Sequence, residues 1–348
     1  MSNPTMIAVD LAKNVFEIAV EREGRVCQRK RLSRKQMAEF FAQAPRSVVV
    51  MEACGTAHYW GRVIQSLNHE VRLLPAQLVK PYQHGNKTDR RDAEGILKAA
   101  GDERIRPVPV KSVQQQSIGF LHRLRDGWLK TRTCRLNTLR GTLRELGVMI
   151  PMGATKVLPA ASLALSEAAG PVPAFLQPML LLAMQEVRDL EMRIDEVDKQ
   201  LKLASKSMPL VKALQTIPGV GLINATAQVA MTVDFSRFRS GRWYASSLGL
   251  TPKENSSGSR RRLGKISKAG NTYLRTLLVN GARSAILAAH RTKKPHRLQI
   301  WMLECEWRCG RNRAAIALAN KLARIIWAVA TRGGVFRPSF LEPAINPV

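Results

Sequence analysis

Met6-Ile7-Ala8-Val9-Asp10 is a short apolar run ending in a carboxylate, and the strands and helices after it decide the fold. Val15 to Val20 and Val26 to Leu32 read as two further strands, joined by a turn at Arg22-Glu23-Gly24-Arg25. Lys35 to Ala44 suits a helix. Ser47-Val48-Val49-Val50-Met51 is a β-branched strand, and it too ends in a carboxylate, Glu52. Gly55 and Thr56 open a helix through about Leu67, and Val71-Arg72-Leu73-Leu74 is a further strand.

The order is three strands, helix, strand, helix, strand, then helices. It is the order of a ribonuclease-H-like α/β fold. It places Asp10 and Glu52 at the ends of neighbouring strands. The next stretch, Asn86-Lys87-Thr88-Asp89-Arg90-Arg91-Asp92-Ala93-Glu94, sets two carboxylates three residues apart. Thr88 is a good helix N-cap, and Ala93, Ile96, Leu97 and Ala99 carry an apolar helical pattern onward. Asp89 and Asp92 therefore share one face of the first turns. Like charges held together repel unless a cation sits between them. Read alone, the pair better suits a capped surface helix with acids at its positive N-terminus. Read with Asp10 and Glu52, it makes four acids able to hold two Mg²⁺ (or Mn²⁺) ions, which can position a phosphate and stabilise attacking and leaving oxygens. His84 and Lys87 precede the pair, either as phosphate contacts or as solvated loop residues.

Charge points the same way. The chain has 348 residues, with 55 Lys and Arg against 26 Asp and Glu, for a formal net charge of +29. That excess implies a polyanionic partner, by default nucleic acid. No run approaches the ~20 apolar residues of a membrane span, and neither lipidation nor a signal peptide is evident. The expectation is a cytoplasmic, nucleoid-associated protein without a membrane partner. Cys27, Cys54, Cys134, Cys305 and Cys309 are scattered and suit reduced thiols.

Pro107-Val108-Pro109 marks a linker, giving an N-terminal domain over residues 1–104. Ser112 to Leu146 is helical and strongly basic. Arg123, Arg125, Lys130 and Arg132, with Arg135, Arg140 and Arg144 beyond, offer either a solvated face or contacts to nucleic-acid backbone. Leu180, Ala183, Val187, Leu190, Ile194, Val197, Leu201, Ala204 and Met208 form a heptad seam. Its partner is either the basic helix, as an antiparallel hairpin, or another subunit. Residues 105–206 thus form a basic-helix and coiled-coil region.

Residues 207–348 read as a mainly α C-terminal domain. Ile217-Pro218-Gly219-Val220-Gly221 before an apolar helix resembles a helix-hairpin-helix element, whose glycines (Gly219, Gly221) let backbone N–H groups approach phosphate. Phe235 to Leu250 reads as a packed helical segment with Trp243 and Tyr244 in the core. Trp301 and Trp307, flanking Cys305, read as packing residues. Ser256-Ser257-Gly258-Ser259 runs into Arg260-Arg261-Arg262, with Lys265 and Lys268 beyond. Such a loop is either a phosphate-binding loop or the seat of a nucleophilic serine.

Taken together, these motifs resemble the DEDD transposases of bacterial insertion sequences, the group that includes Piv-type invertases and bridge-RNA-guided recombinases. The resemblance is carried by Ile7-Ala8-Val9-Asp10 with Ala12-Lys13, Met51-Glu52-Ala53-Cys54-Gly55-Thr56, Asn86 to Ala93, and Ile217 to Gly221. Gly249-Leu250-Thr251-Pro252, Ser257-Gly258 and Ser267-Lys268-Ala269-Gly270-Asn271 complete it. At Cys54 the family pattern more often has Thr. The resemblance implies a RuvC-like N-terminal domain with metal-binding acids at Asp10, Glu52, Asp89 and Asp92, and Ser257 as a nucleophile that forms a phosphoserine. It also implies donor and target DNA, a structured guide (bridge) RNA, and a homo-oligomer, dimer or tetramer. A hydrolytic Holliday-junction-type nuclease and a non-catalytic nucleic-acid-binding protein remain the alternatives.

Overall fold

Strand β1 (Met6–Leu11) runs through the middle of a five-stranded sheet ordered β3-β2-β1-β4-β5. The computed structural model describes residues 5–83, 89–166 and 170–337, with residues 89–91 by backbone alone. β2 (Val15–Arg22) and β3 (Arg25–Ser33) form an antiparallel meander, and β2 lies antiparallel to β1. On the other side β4 (Val48–Glu52) runs parallel to β1, and β5 (Glu70–Leu74) parallel to β4. β1 and β4 are nearly continuous apolar runs because helices cover both faces.

Alternation sorts their side chains. Ile7, Val9, Val49 and Met51 face helices α1 (Arg34–Gln43) and α2 (Ala57–Ser66), meeting Met37, Phe41, Trp60 and Ile64. Ser33 caps α1 through a reciprocal box with Gln36. Ala8, Ala19, Val48 and Val50 point the other way. After the short α3 (Ala76–Val79), helix α4 (Asp89–Ala100) lies on them through Ala93, Ile96, Leu97 and Ala99. Ala8 and Ala19 let the helix come close. Arg29 of β3 clamps it by donating to Glu94 at 2.7 Å.

The chain divides into two compact units, Met1–Gln116 with Thr232–Arg237, and Ser117–Met231 with Phe238–Val348. Within the first, Arg106 donates to the Arg237 carbonyl at 2.6 Å, tying in the returning segment.

The second unit is helical. α5 (Val113–Glu145) passes into it and is followed by α6 (Val157–Ser166) and α7 (Gln177–Ser205). α5 and α7 form an antiparallel hairpin. Arg125 bridges Asp198, Arg132 bridges Glu191 and Arg135 bridges Glu186, each at 2.6 Å, so ascending numbers meet descending ones. Leu136, Leu139 and Leu143 share a core with Leu180, Met184 and Val187. The heptad reading thus finds its partner within the chain, with two adjustments: Met184 and Ser205 are buried where Ala183 and Ala204 were expected. The strict 3.5-residue repeat drifts against a 3.6-residue helix, so the seam slips at its ends.

Beyond lie α8 (Pro209–Leu214), α9 (Leu222–Thr232) and α10 (Gly241–Ser247). Then come the hairpin β6 (Pro252–Glu254) and β7 (Leu263–Ile266), and the helices α11 (Thr272–His290), α12 (Arg297–Cys309) and α13 (Arg311–Arg332). Two expectations need correcting. Only Gly241–Ser247 of the 235–250 segment is helical, and while Tyr244 is buried, Trp243 is 58% exposed. Trp307 is 91% exposed, so it does not pack against Cys305's neighbourhood. Both tryptophans fall on the outer faces of helices whose apolar stripes are completed by other residues. α13 is long and apolar enough to cross a membrane by length and composition, against the reading that no such run exists, and its Ala314, Leu318, Leu322 and Ile326 are buried within this unit.

Candidate active site: a carboxylate edge and a serine hairpin

The register of β1 and β4 pairs Val9 with Met51, so the next residues, Asp10 and Glu52, are side by side where the two parallel strands end. By parity with Ala8 and Val50 both belong to the face covered by α4. Carboxyl ends of parallel strands are where α/β sheets open a crevice. After Glu52 the chain turns sharply into α2: Cys54 N–H donates to the Glu52 carbonyl at 2.8 Å, and Thr56 takes a left-handed φ of 66°.

Cys54 senses both acids. Desolvation by the surrounding chain, then the Glu52 carboxylate, then that of Asp10 push its thiol above its ordinary value. Two carboxylates acting on one sulfur means that their negative fields overlap at the crevice.

Asp92 is 8% exposed on α4. It precedes Ile96 by four positions and Ala99 by seven, so it lies in the sheet-facing stripe. A carboxylate held this deep needs a compensating donor or cation. Asp89 is the first residue of the helix; its side chain, like Lys87, His84 and the Thr88 cap, lies outside the described residues. Among the described residues no three His, Cys, Asp or Glu groups converge to hold an ion. The donor chemistry of Asp10, Glu52 and Asp92 is nonetheless all oxygen, which suits a hard divalent cation. The sequence reading missed Glu17, the antiparallel partner of Asp10, which shares its face and is met by Arg31 at 3.5 Å. The signal was available: a cross-strand pair follows once the short 12–14 connection between β1 and β2 fixes the register.

In the second unit, Ser257 sits at the tip of the β6–β7 hairpin. Arg260 N–H donates to the Ser257 carbonyl at 3.2 Å across a turn that holds Gly258 at φ 56°. The flanking serine is differently employed. Ser256 Oγ donates to Glu254 at 2.8 Å and accepts from Arg262 N–H at 3.1 Å, and Arg261 also reaches Glu254 at 3.2 Å. That hydroxyl and Arg261 hold the Glu254 carboxyl below its usual value. Ser257, Arg260, Arg262 and Lys265 are exposed on the same short hairpin.

Its base is locked. Gly249 and Gly270, both with positive φ, pack so tightly against Ala269 and Ser247 that a Cβ on either would collide with backbone. Ser267 N–H donates to Thr251 O at 2.8 Å, and Lys268 N–H to Gly249 O at 3.1 Å. Arg275 donates to the Leu248 carbonyl at 2.9 Å. The two motifs on either side of the hairpin are therefore one interlocked support.

The remaining predicted nucleic-acid contacts separate. Arg125 and Arg132 direct their guanidiniums to Asp198 and Glu191. Arg123 is exposed, as is Lys130, which meets Asp126 of its own helix. Gly219, with φ 82°, lies backbone to backbone with Gly281 of α11, so packing already requires that glycine. Gly221 is open, with nothing within 4 Å of a built Cβ.

Comparison with known proteins picks out the same two regions. A transposase model of the DEDD, IS110 type matches residues 7–148, and a model described as "Transposase IS116/IS110/IS902 family" matches residues 211–297. A probable family 20 transposase of Pseudomonas aeruginosa is 41% identical over 97% of this chain and 99% of its own length. The transposase for insertion sequence element IS1111A of Coxiella burnetii is 37% identical over 97% of this chain and 92% of its own. The transposase for IS1328 of Yersinia enterocolitica is 36% identical, over 97% and 99%.

Proposed function

The chain belongs to the IS110-type family of insertion-sequence transposases, and from that membership we propose that it cuts and rejoins DNA strands through a phosphoserine at Ser257, assisted by an acidic tetrad of Asp10, Glu52, Asp89 and Asp92. The observation that carries the reading is the adjacency of Asp10 and Glu52, each the residue after the paired Val9 and Met51 of two parallel strands, on the face crossed by the helix that begins at Asp89. The sheet order β3-β2-β1-β4-β5, with β1 to β3 antiparallel and β4 and β5 parallel to β1, supports a RuvC-like domain.

A divalent ion, Mg²⁺ or Mn²⁺, held by these acids supplies charge neutralisation for a phosphodiester. Ser257 Oγ attacks phosphorus, the P–Oγ bond forms, and the bond to a sugar oxygen breaks. The serine proton leaves as the departing sugar oxygen takes one up. Attack by a second sugar hydroxyl reverses these bond changes and reseals the new junction, so no nucleotide cofactor is required. Arg260, Arg262, Lys265 and Lys268 stabilise the phosphate's charge, and the Ser256–Glu254–Arg261 network shapes the turn. A guide RNA pairs with donor and target DNA and supplies sequence choice. The active form is a homo-oligomer working in the cytoplasm on nucleoid DNA. The division at residues 104 and 206 separates acids, helical hairpin and serine-bearing region.

Incubation with element-end DNA, Mg²⁺ and co-purified RNA tests the reading. A covalent protein–DNA adduct, absent in Ser257→Ala, is expected. Cleaved free ends persisting in Ser257→Ala indicate a hydrolytic nuclease instead. Binding without cleavage, unchanged by Asp10→Ala, reduces the chain to a binding protein.

A further inference from the structure

Between α10 and α13 lies a cleft of about 570 Å³ lined by Arg242, Lys321, Arg324 and Arg332, with Trp327 in its wall. Its lining includes no carboxylate. Neither α10 nor α13 carries any acid along its sequence. On the helical hairpin, by contrast, Arg125, Arg132 and Arg135 each meet a carboxylate. In the cleft the cations crowd each other. Desolvation, then Arg324, then Arg297 hold the Lys321 ammonium below its ordinary value, and it rests 4.1 Å over the Trp301 ring. The cleft is built closely: a Cβ on Gly241 would come within 3.0 Å of the Arg324 backbone. That contact seats α10 on α13 and fixes Arg242 at the rim. Arg324 and Arg332 stand about 12 Å apart along the helix at ~1.5 Å per residue, enough to span more than one phosphate.

We propose that this cleft is a seat for the sugar–phosphate backbone of a nucleic acid, with Arg242, Arg324 and Arg332 contacting its phosphodiesters. It is separate from the serine hairpin, and only the identity of the polyanion rests on the transposase reading. Concentrated positive charge in a concave, low-dielectric wall attracts a polyanion and releases its counterions on binding. Trp327 adds apolar surface to the wall.

The test is the salt dependence of binding by the full-length protein to two labelled probes, a duplex DNA and a single-stranded RNA, by fluorescence anisotropy. Each phosphate contact contributes roughly 0.9 to the log–log slope on duplex and about 0.7 on a single strand. Arg324→Gln with Arg332→Gln should lower the slope by between one and two and weaken binding at least tenfold at moderate salt. Loss on both probes indicates general backbone contact; loss on one identifies which strand type occupies the cleft. Unchanged affinity and slope on both, with a wild-type melting curve, overturns the proposal. Should the double variant melt early, Arg242→Gln alone, on an exposed rim, decides by the same slope. Measured in an Asp10→Asn background, the result stands or falls independently of strand transfer.

Discussion

Gly219 and Gly281 touch backbone to backbone: a Cβ built on Gly219 would stand 2.5 Å from the Gly281 carbonyl oxygen, and one on Gly281 closer still to that of Gly219. The turn before α9 is thereby pinned to α11. Gly219→Ala combines a left-handed φ with a clash into backbone. It is expected to destabilise the fold by about 2–5 kcal/mol, seen as a lowered thermal midpoint. Gly221→Ala, with open space around it, should stay within about 0.5 kcal/mol of wild type. Equal effects of the two would defeat the packing explanation.

The helical hairpin predicts a coupling. Arg132 and Glu191 meet at 2.6 Å and are partly exposed. A double-mutant cycle with Arg132→Ala and Glu191→Ala should return a favourable interaction of about 0.3–1 kcal/mol, shrinking in high salt. A zero or unfavourable coupling by urea unfolding would remove this ion pair as a stabilising contact of the hairpin.

At the hairpin tip, Ser257→Ala should abolish DNA adduct formation while leaving the melting curve unchanged, since that side chain is exposed. Ser256→Ala removes two hydrogen bonds that shape the same turn. It should lower the rate by roughly tenfold, about 1.4 kcal/mol of barrier, without eliminating the adduct. The opposite ranking, read on denaturing gels, would move the nucleophile to Ser256.

Two histidines set an acid limit. His122 is fully buried, with Tyr273 Oη and Thr226 Oγ1 each at 3.0 Å, and burial with Arg125 nearby lowers its pKa to about 4. His58, which accepts from Lys111 N–H at 3.2 Å, is likewise lowered to about 4 by burial, Lys111 and Arg62. Both groups are more easily protonated in the unfolded chain, near 6.5. Stability is therefore fully present above 6.5 and declines as pH falls from there towards 4. His122→Gln should flatten the profile of unfolding free energy in that window; an unaltered slope would remove His122 as a cause.

Metal addition gives a fifth outcome. If Asp10, Glu52 and Asp92 hold the proposed divalent ion, Mn²⁺ or Mg²⁺ should raise the thermal midpoint of the wild type by a few degrees. The rise should vanish in Asp92→Asn, while the variant alone melts no lower than the metal-free wild type.

Periodicity made part of this fold legible in the sequence. The strands ending at Asp10 and Glu52 could be read because β-branched runs bounded by turns have few other readings, and α5 and α7 because their apolar spacing persists over many turns. The partner of α7 was not legible, since a seam records that something packs on it and not what. Nor was the employment of Arg125 and Arg132: a basic helix looks alike whether its guanidiniums meet phosphate or the carboxylates of a neighbour about 60–70 positions away. Gly219 was read as letting backbone N–H groups approach phosphate; its packing against Gly281, with φ 82°, was invisible to any local pattern. Trp243 and Trp307 were misread because an aromatic beside charged neighbours, Arg242 for one and Glu306 and Arg308 for the other, carries no mark of the face it occupies. Beside Asp10 and Glu52, Glu17 is placed by the β1–β2 register, which sequence alone yields only once the connection between those strands is read as tight.

The interlock of Gly249 and Gly270 beneath the serine hairpin has a mechanical corollary. With the foot of the hairpin clamped and its arms only three and four residues long, the stroke of the hydroxyl is set by chain length rather than by side-chain identity. Shortening the two arms would spare every side chain of the 255–262 turn and still draw the Ser257 hydroxyl back toward the clamped foot; lengthening them would trade aim for range.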